Sequence, residues 1–402
     1  MNITQPQHRW QLPFEGTWPT AVTFLGSDKR LAAANQAGEI FIWDLPEQPV
    51  SAAAADSTAT EPAPPAGEPK PPSAWPVLRL DGHTNGVTRL VASADGRTLV
   101  SASLDHAVRV WDTTAEPTGT AEVILDGERR KQEAQRTHKD DPLTAPGVQV
   151  QTLSTSVELA GHEDWVLALG LSRNGRRVIS GDMASRVIVW DLAERRELAR
   201  WSGYPWNWIV AAALSPNGET AAVSEHRYKR DDFDVPAPAL RLYTVADGQP
   251  GLDFLATNLP NYNSQETTYG ASQVWRKFVA MGLIAADFSP DGQWLAVVQG
   301  GETDTGKIHL LEVASGKALR EIGGHPGGAT DVRFSADGQY ILSAGRDTTF
   351  RICRASDGQE VAALNTPRGG QFKDWLSSLA ISPDEQTVAA SDIAGLVHVW
   401  SL

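Results

Sequence analysis

The chain has 402 residues, 41% of them hydrophobic and 21% charged, a balance typical of a globular protein with a large core. Its formal net charge of −14 at pH 7 argues against nucleic acid and membrane surfaces as main partners. The single cysteine, Cys353, excludes an internal disulfide. No apolar run approaches the roughly 20 residues that span a bilayer, and no export signal is visible. A cytoplasmic location is therefore expected.

The first predicted elements are short strands. His8–Leu12 is predicted to be a strand with no partner nearby in sequence, and Trp18–Leu45 is a unit of short apolar runs that ends in Ile42-Trp43-Asp44. Residues 46–73 are rich in Ala, Pro, Glu and Ser and are predicted to form a disordered insertion, because they have no pattern that could bury a core. Their PxxP-like content leaves open docking into an aromatic groove of another protein.

The next unit, Gly82–Thr113, is the most regular part of the chain. Apolar and polar residues alternate over Val87–Ala92, a turn containing Asp95-Gly96 reverses the chain, and Thr98–Ser103 completes a hairpin. A third strand, Ala107–Trp111, follows a tight turn. The unit is therefore a set of short antiparallel strands with no helical period.

This stretch resembles the WD40 repeat family, whose signature is a Gly-His pair, an Asp in a turn and a closing Trp-Asp pair. The matching residues are Gly82-His83, Asp105 and Trp111-Asp112. The resemblance implies one blade of a β-propeller and a buried hydrogen-bond chain through the structural tetrad His83, Ser101, Asp105 and Trp111. A contacting His, Ser and Asp also resemble a hydrolase triad, but inside a blade they have neither a cavity nor oxyanion donors.

Counting from the His to the closing Trp position identifies further blades. A separation of 28 positions recurs in three pairs: His83 and Trp111, His162 and Trp190, His325 and Cys353. Trp18–Leu45 and Asp374–Leu402 are blades without a tetrad, and two degenerate blades between Leu192 and His325 are marked by the turns Ser215–Gly218 and Ser289–Gly292. Only the unit at Gly82–Thr113 is expected to have a complete tetrad.

The total of seven repeats predicts an all-β fold, a seven-bladed WD40-type β-propeller in which residues 1–402 form a single domain. The last repeat stops after its third strand, Leu396–Ser401. We therefore expect the unpaired His8–Leu12 segment to supply the outer strand of the last blade and to close the ring.

Three further insertions interrupt the repeats. Residues 114–155 form a charged insertion, whose flanks Ala121–Leu125 and Val148–Leu153 are expected to pair as a projecting hairpin on the lower face. Residues 226–239 and 258–278 lengthen loops of blades four and five on the top face. With the four strands of a repeat labelled a to d in chain order, this face carries the loops before strand a and between strands b and c. They are expected to raise a polar and aromatic wall that includes Tyr262 and Tyr269. Acidic residues at 231, 232 and 234 lack the spacing and the Gly turn of an EF-hand calcium loop.

Tryptophan recurs at one repeat position, three residues past the His place, where strand a begins. The residues are Trp18, Trp165, Trp208 and Trp375. The resemblance to the beta subunit of heterotrimeric G proteins implies a partner-contacting position, whereas packing under neighbouring loops is the alternative. The residues before the turn Asp, Leu104, Met183 and Arg346, are expected to share this rim.

These features predict a non-catalytic scaffold that binds one or more proteins or peptides through the top face. No GxSxG, HExxH, P-loop or GxGxxG motif is present, and no catalytic residue, metal or cofactor is expected. A monomer is favoured. The alternative is a propeller enzyme, or a small-ligand or metal binder, that uses the axial mouth and the wall of blades four and five.

Overall fold

The computed structural model describes residues 1, 3, 6–14, 18–45, 76–123, 148–203, 207–227, 238–255, 282–300, 306–366 and 375–402. The predicted insertions at 46–73 and 258–278 lie outside the described residues, as does most of 226–239, so their predicted conformations stay predictions. Within the described ranges every regular element is a β-strand, and none is a helix that could cross a membrane.

The strands form seven sheets, each built on four antiparallel strands that are named a to d from the axis outward. The first four blades contain β2 (Pro19–Phe24), β3 (Arg30–Asn35), β4 (Ile40–Asp44) and β5 (Leu78–Leu80); β6 (Val87–Ala92), β7 (Thr98–Ser103), β8 (Val108–Asp112) and β11 (Val157–Leu159); β12 (Val166–Leu171), β13 (Arg177–Asp182), β14 (Arg186–Asp191) and β15 (Arg196–Ser202); and β16 (Asn207–Leu214), β17 (Thr220–Arg227), β18 (Pro238–Thr244) and β19 (Pro250–Leu255). The last three contain β20 (Gly282–Phe288), β21 (Trp294–Gly300), β22 (Lys307–Glu312) and β23 (Ala318–Gly324); β24 (Ala329–Phe334), β25 (Tyr340–Gly345), β26 (Thr349–Arg354) and β27 (Glu360–Asn365); and β28 (Leu376–Ile381), β29 (Thr387–Asp392), β30 (Leu396–Ser401) and β1 (Gln7–Pro13).

The seven sheets close into a ring around the a strands. Each a strand contacts the a strand of the next blade, and β28 of blade seven contacts β2 of blade one. The predicted seven-bladed propeller is therefore confirmed. β1 pairs antiparallel with β30, with Leu12 opposite Val397, which confirms that the N-terminal strand closes the last blade.

The turn between strands a and b repeats the same chemistry in six blades. A Ser hydroxyl bonds the side-chain oxygen of the Asp or Asn two residues later at 2.5–2.8 Å; the serines are Ser93, Ser172, Ser215, Ser289, Ser335 and Ser382. The following residue has a positive φ, for example 70° at Gly96, where a Cβ atom would lie 2.3 Å from the carbonyl carbon of Leu25. Glycine is required there because a side chain would strain both the turn and its neighbour. Glu385 occupies this position in blade seven, with φ 58°.

The closing blade contains a histidine pair. The His8 ring stacks on Trp400 with centroids 5.1 Å apart, and its Nε2 lies 3.2 Å from Nδ1 of His398. The other nitrogen of His398 contacts Asp392 at 2.9 Å. Burial, reinforced by His398, lowers the pKa of His8 to about 4. The chain ends are thus joined by backbone pairing and by a neutral imidazole.

Acid pH is expected to weaken the fold through this histidine and a second one. His309 is fully buried, neither of its ring nitrogens has a hydrogen-bond partner in the described structure, and burial lowers its pKa to about 4. Both pKa values lie below the ordinary 6.5, so the unfolded chain takes up protons first as the pH falls. Stability that is fully present above pH 6.5 is therefore lost toward pH 4, by about 1–3 kcal/mol per histidine. Urea unfolding at pH 7.5 and 5 checks this, with His309→Leu as the variant expected to lose less. An identical pH dependence of both proteins would contradict it.

The sequence predicts that the charged insertion at residues 114–155 projects from the ring as a hairpin, whereas its described strands lie against the ring. β9 (Gly119–Val123) and β10 (Val148–Leu153) pair antiparallel, and β10 also pairs in parallel with β5. The pair thus extends the sheet of blade one to six strands. Its Val123 and Val150 are buried among core residues of blades one and seven, and this burial of apolar surface holds the hairpin on the ring.

Candidate interaction face

Blade two contains a continuous buried hydrogen-bond chain. Nδ1 of His83 lies 2.8 Å from Asp105, and its Nε2 lies 2.7 Å from the Ser101 hydroxyl. Ser101 in turn accepts from the Trp111 indole N–H at 2.9 Å. The structure brings all four predicted tetrad residues together. The interaction with His83 lowers the pKa of the Asp105 carboxyl against the opposing effect of its burial, so the carboxylate stays ionised.

The expectation that only blade two has a complete tetrad is wrong. In blade three, His162 contacts Asp182 at 2.7 Å and Ser180 at 2.7 Å, and Trp190 donates to Ser180 at 2.8 Å. Asp182 is the last residue of strand b, two positions before the turn position that Asp105 occupies, and its carboxylate reaches the same imidazole nitrogen. An aspartate at either position therefore completes the chain.

Blade six has a shortened version. His325 contacts Asp347 at 2.8 Å and Ser343 at 2.7 Å, but Cys353 stands in the Trp place. Cys353 is buried, and burial raises the pKa of its thiol to about 11, so the nucleophilic thiolate is scarce at neutral pH. In blade one Ala33 replaces the Ser, and within the described residues the buried Trp43 indole N–H has no hydrogen-bond partner.

The tetrads predict different costs for one substitution. Ser101→Ala leaves two buried groups without a partner, the imidazole of His83 and the indole of Trp111, whereas Ser343→Ala leaves only the imidazole of His325. We expect a loss of about 2–3 kcal/mol for Ser101→Ala and about 1–2 kcal/mol for Ser343→Ala. Urea unfolding of both variants measures this difference. An equal or reversed order would show that the Trp–Ser bond contributes nothing.

These His-Ser-Asp sets are closed to substrates. The side chains of His83, His162 and His325 have no exposed surface, and Ser101 and Ser180 are fully buried. A nucleophile must be reachable by the group it attacks, so the sets hold blades together and do not form a hydrolase site. Among the described residues no group of three or more His, Cys, Asp or Glu is placed to hold a metal ion.

Backbone hydrogen bonds and strand pairing place the predicted tryptophans at equivalent positions in their blades. The carbonyls of Trp18, Trp165 and Trp375 accept from the amides of Gln36, Met183 and Ile393, which follow strand b. Trp208 occupies this position in blade four, since it precedes Ile209, which pairs with the end of strand b. Glycine takes the position in the remaining blades, at 86, 282 and 328. Four indoles therefore start from the same level of the top face.

Their exposure separates the four tryptophans. Trp18 is 47% exposed and Trp165 is 43% exposed, which makes them the two most exposed large apolar side chains in the described residues. Trp208 and Trp375 are half-buried. The Arg346 guanidinium lies over the Trp375 ring, 5.2 Å from its centroid, in a cation–π contact. Trp208 and Trp375 are therefore partly covered by neighbouring residues, whereas Trp18 and Trp165 are open to a partner.

The rim residues lie beside these positions. The amides of Leu104, Met183 and Arg346 donate to the carbonyls of residues 86, 165 and 328 at 2.8–3.0 Å, so their side chains start at the same level as the indoles. Beside Trp165, Asp164 is half-buried and accepts from the Trp165 amide at 2.8 Å. Tyr262 and Tyr269 lie outside the described residues, and their place on this face stays a prediction.

Sequence reasoning missed one recurring position near the end of strand b, which lies opposite the residue of strand a that precedes its register shift. It carries Asp182, Glu225 and Asp392, each of which bonds a buried polar group of its blade: Glu225 accepts from Tyr243 at 3.2 Å and from Asn207 at 3.0 Å. Aligning this position across all seven repeats would have found it, because it is polar in six blades.

Comparison with known proteins identifies the repeats. A family model described as "WD domain, G-beta repeat" matches residues 74–112, 150–191 and 316–353, the regions of blades two, three and six. These are the three blades with a Gly-His pair.

Among curated relatives, Autophagy-related protein 16 of Arabidopsis thaliana is 24% identical over 81% of this chain and 49% of its own length. Transcription factor unc-37 of Caenorhabditis elegans is 25% identical over 58% of this chain and 38% of its own length. A guanine nucleotide-binding protein subunit beta of Nicotiana tabacum is 22% identical over 60% of this chain and 70% of its own length. The chain thus spans half or less of the first two relatives.

Proposed function

Because the chain is a seven-bladed WD40-repeat propeller, we propose that it acts as a non-catalytic scaffold that binds a protein or peptide through the top face. The observation that carries the proposal is the pair of open tryptophans, Trp18 and Trp165, at one level of a rigid ring. Large aromatic side chains are the commonest anchors of protein interfaces, and a folded ring holds them at little cost in entropy.

Charge favours a particular kind of partner. The chain has a net charge of −14, and Trp165 follows two carboxylates, Glu163 and Asp164, of which Glu163 pairs with Arg186 at 2.8 Å. A partner with basic residues around an apolar contact fits this surface, whereas a phosphate backbone is repelled. We place the protein in the cytoplasm, as part of the same proposal.

The relatives support a binding role of this general kind, since their names describe a G-protein subunit, an autophagy-related protein and a transcription factor. Their partners are not transferred to this chain. A small-molecule enzyme is less well supported, because the His-Ser-Asp sets are enclosed.

Native mass spectrometry of the purified full chain, with metal analysis, separates the two classes. A scaffold is expected to show the polypeptide mass without a tightly bound metal or organic cofactor, and to capture a protein partner at fixed stoichiometry. A stoichiometric metal or organic cofactor, with no captured protein, would contradict the scaffold and favour the enzyme or ligand binder.

A further inference from the structure

The lower face, which carries the a–b and c–d turns, is rich in arginine at blade three although the chain has a net charge of −14. The a–b turn of this blade, residues 172–177, contains three arginines and no acidic residue. The equivalent turns of the last three blades contain acidic residues and no basic one; they lie at 289–294, 335–340 and 382–387. Arg177 is used inside the fold, because its Nη1 donates to the carbonyl of Gly218 at 2.8 Å. Arg173 and Arg176 are exposed.

A further exposed arginine, Arg195, lies in the c–d turn of the same blade, with a positive φ of 54°. It is the fourth residue after strand c. Glycine occupies this place in the next three blades, with φ between 65° and 78°; the residues are Gly248, Gly316 and Gly358. Glycine adopts this left-handed conformation without the steric cost of a side chain, so the turn itself gives no reason for an arginine. We call Arg173, Arg176 and Arg195 the arginine cluster.

The two turns that carry the arginine cluster lie side by side at the lower edge of one sheet. The amide of Leu192, in the c–d turn, donates to the carbonyl of Arg176, in the a–b turn, at 2.9 Å. Arg196, the first residue of strand d, pairs with Asp191, the last residue of strand c. Neighbouring strands lie about 4.8 Å apart, so this edge is about 14 Å wide from strand a to strand d.

The positive charge of the arginine cluster is not neutralised by the described residues, among which no carboxylate oxygen lies within 4.0 Å of its three guanidiniums. The acidic residues of the c–d turn have other partners. Asp191 accepts from the amide of Glu194 at 2.9 Å, and Glu194 pairs with Arg196. Asp112, in the c–d turn of blade two, accepts from the hydroxyl and the amide of Thr114. The cluster is therefore available to an anionic partner.

An extended peptide fits the arginine cluster better than a flat anionic surface does. A bilayer would face the whole lower face, where the turns of blades five to seven carry Asp291, Asp337 and Asp384. These carboxylates repel a negative surface. An extended chain rises about 3.4 Å per residue, so about five residues span the edge of one blade.

We propose that the arginine cluster binds an extended acidic peptide of a partner protein. The planar guanidinium of an arginine donates two parallel hydrogen bonds to the two oxygens of a carboxylate, which a lysine does not. Trp165 precedes strand a of this blade and Arg173 follows it, so the cluster lies at the opposite end of the blade from the top-face tryptophans. The acidic peptide is a second partner, and either proposal can fail alone.

Fluorescence anisotropy of the full chain with a labelled peptide of consecutive glutamates tests this site at low ionic strength. The wild-type protein is expected to bind the peptide saturably, with an affinity that falls as salt is added. A peptide of the same length made of glutamines is expected not to bind. The double variant Arg173→Gln, Arg176→Gln is expected to bind the glutamate peptide at least tenfold more weakly than the wild type.

Arg195→Gly separates binding from folding. It is expected to bind the glutamate peptide several-fold more weakly, while its melting temperature equals or exceeds that of the wild type, because glycine fits the positive φ. The matched control is Arg200→Gln, which removes the same charge from an exposed arginine on strand d of the same blade. Arg200 pairs with Glu197, and its variant is expected to bind the peptide as the wild type does.

Three results would overturn the proposal. The first is absence of saturable binding of the glutamate peptide to the wild type. The second is an equal affinity of Arg195→Gly and Arg200→Gln, which would show only an effect of net charge. The third is sedimentation of the protein with phosphatidylserine vesicles without binding of the peptide, which would assign the cluster to a membrane surface.

Discussion

Trp165→Ala is expected to abolish recovery of the protein partner while the propeller stays folded. The indole is 43% exposed, so little core packing is lost. Central aromatic anchors of interfaces typically contribute 2 kcal/mol or more, which is about a 30-fold loss of affinity. Co-purification with the full chain as bait, together with a melting curve, measures both effects.

Val361→Ala is the matched control, because Val361 is also an exposed apolar residue, 36% exposed, but lies on the outer strand β27 of blade six. Its partner recovery is expected to equal that of the wild type. Trp208→Ala is also expected to reduce recovery, with Trp375 and Arg346 contributing less because they pack on each other. Full recovery of the partner by the double variant Trp18→Ala, Trp165→Ala would contradict a binding site on the top face.

Leu12→Ala is expected to cost about 2–5 kcal/mol of stability, because it creates a cavity in the strand that closes the ring. Leu12 is fully buried and lies in one core cluster with Trp10 and Phe14 and with residues of blade one. This strand joins the two ends of the chain. Weakening it therefore exposes the edges of blade seven and its contacts with blade one.

Gln11→Ala provides the comparison, since Gln11 lies on the same strand and pairs with the residue next to Val397, but its side chain is half-buried. It is expected to change stability by less than about 0.5 kcal/mol. Urea unfolding of the two variants measures the difference. Equal stabilities would show that β1 is not needed to close the ring.

The fold was predictable because each blade repeats a local pattern. The spacing of His83 and Trp111, the Asp-Gly turns and the missing strand of the last repeat all follow from nearest-neighbour rules, and closure requires only that the ring has no free edge. The sheet position of the insertion was not predictable. Pairing of β10 with β5 joins residues far apart in sequence, and β5 has only three residues.

The position of the candidate site was predictable from the sequence, but the exposure of its individual side chains was not. Repeat spacing places Trp18, Trp165, Trp208 and Trp375 at one level, but which of them are exposed depends on side chains from other blades, such as Arg346 over Trp375. The second tetrad was missed because Asp182 lies two residues from the expected place and reaches the same nitrogen.

Site-specific photo-crosslinking tests the central claim most directly. A photoreactive residue at Gln36, which is exposed and donates its amide to the carbonyl of Trp18, samples the top face. The same photoreactive amino acid in place of Glu116 samples the lower face, where Glu116 lines a groove of 420 Å³ between blades one and two. The partner is expected to crosslink from position 36 and not from position 116. Crosslinking from position 116 alone would contradict the account and would place the interaction on the lower face.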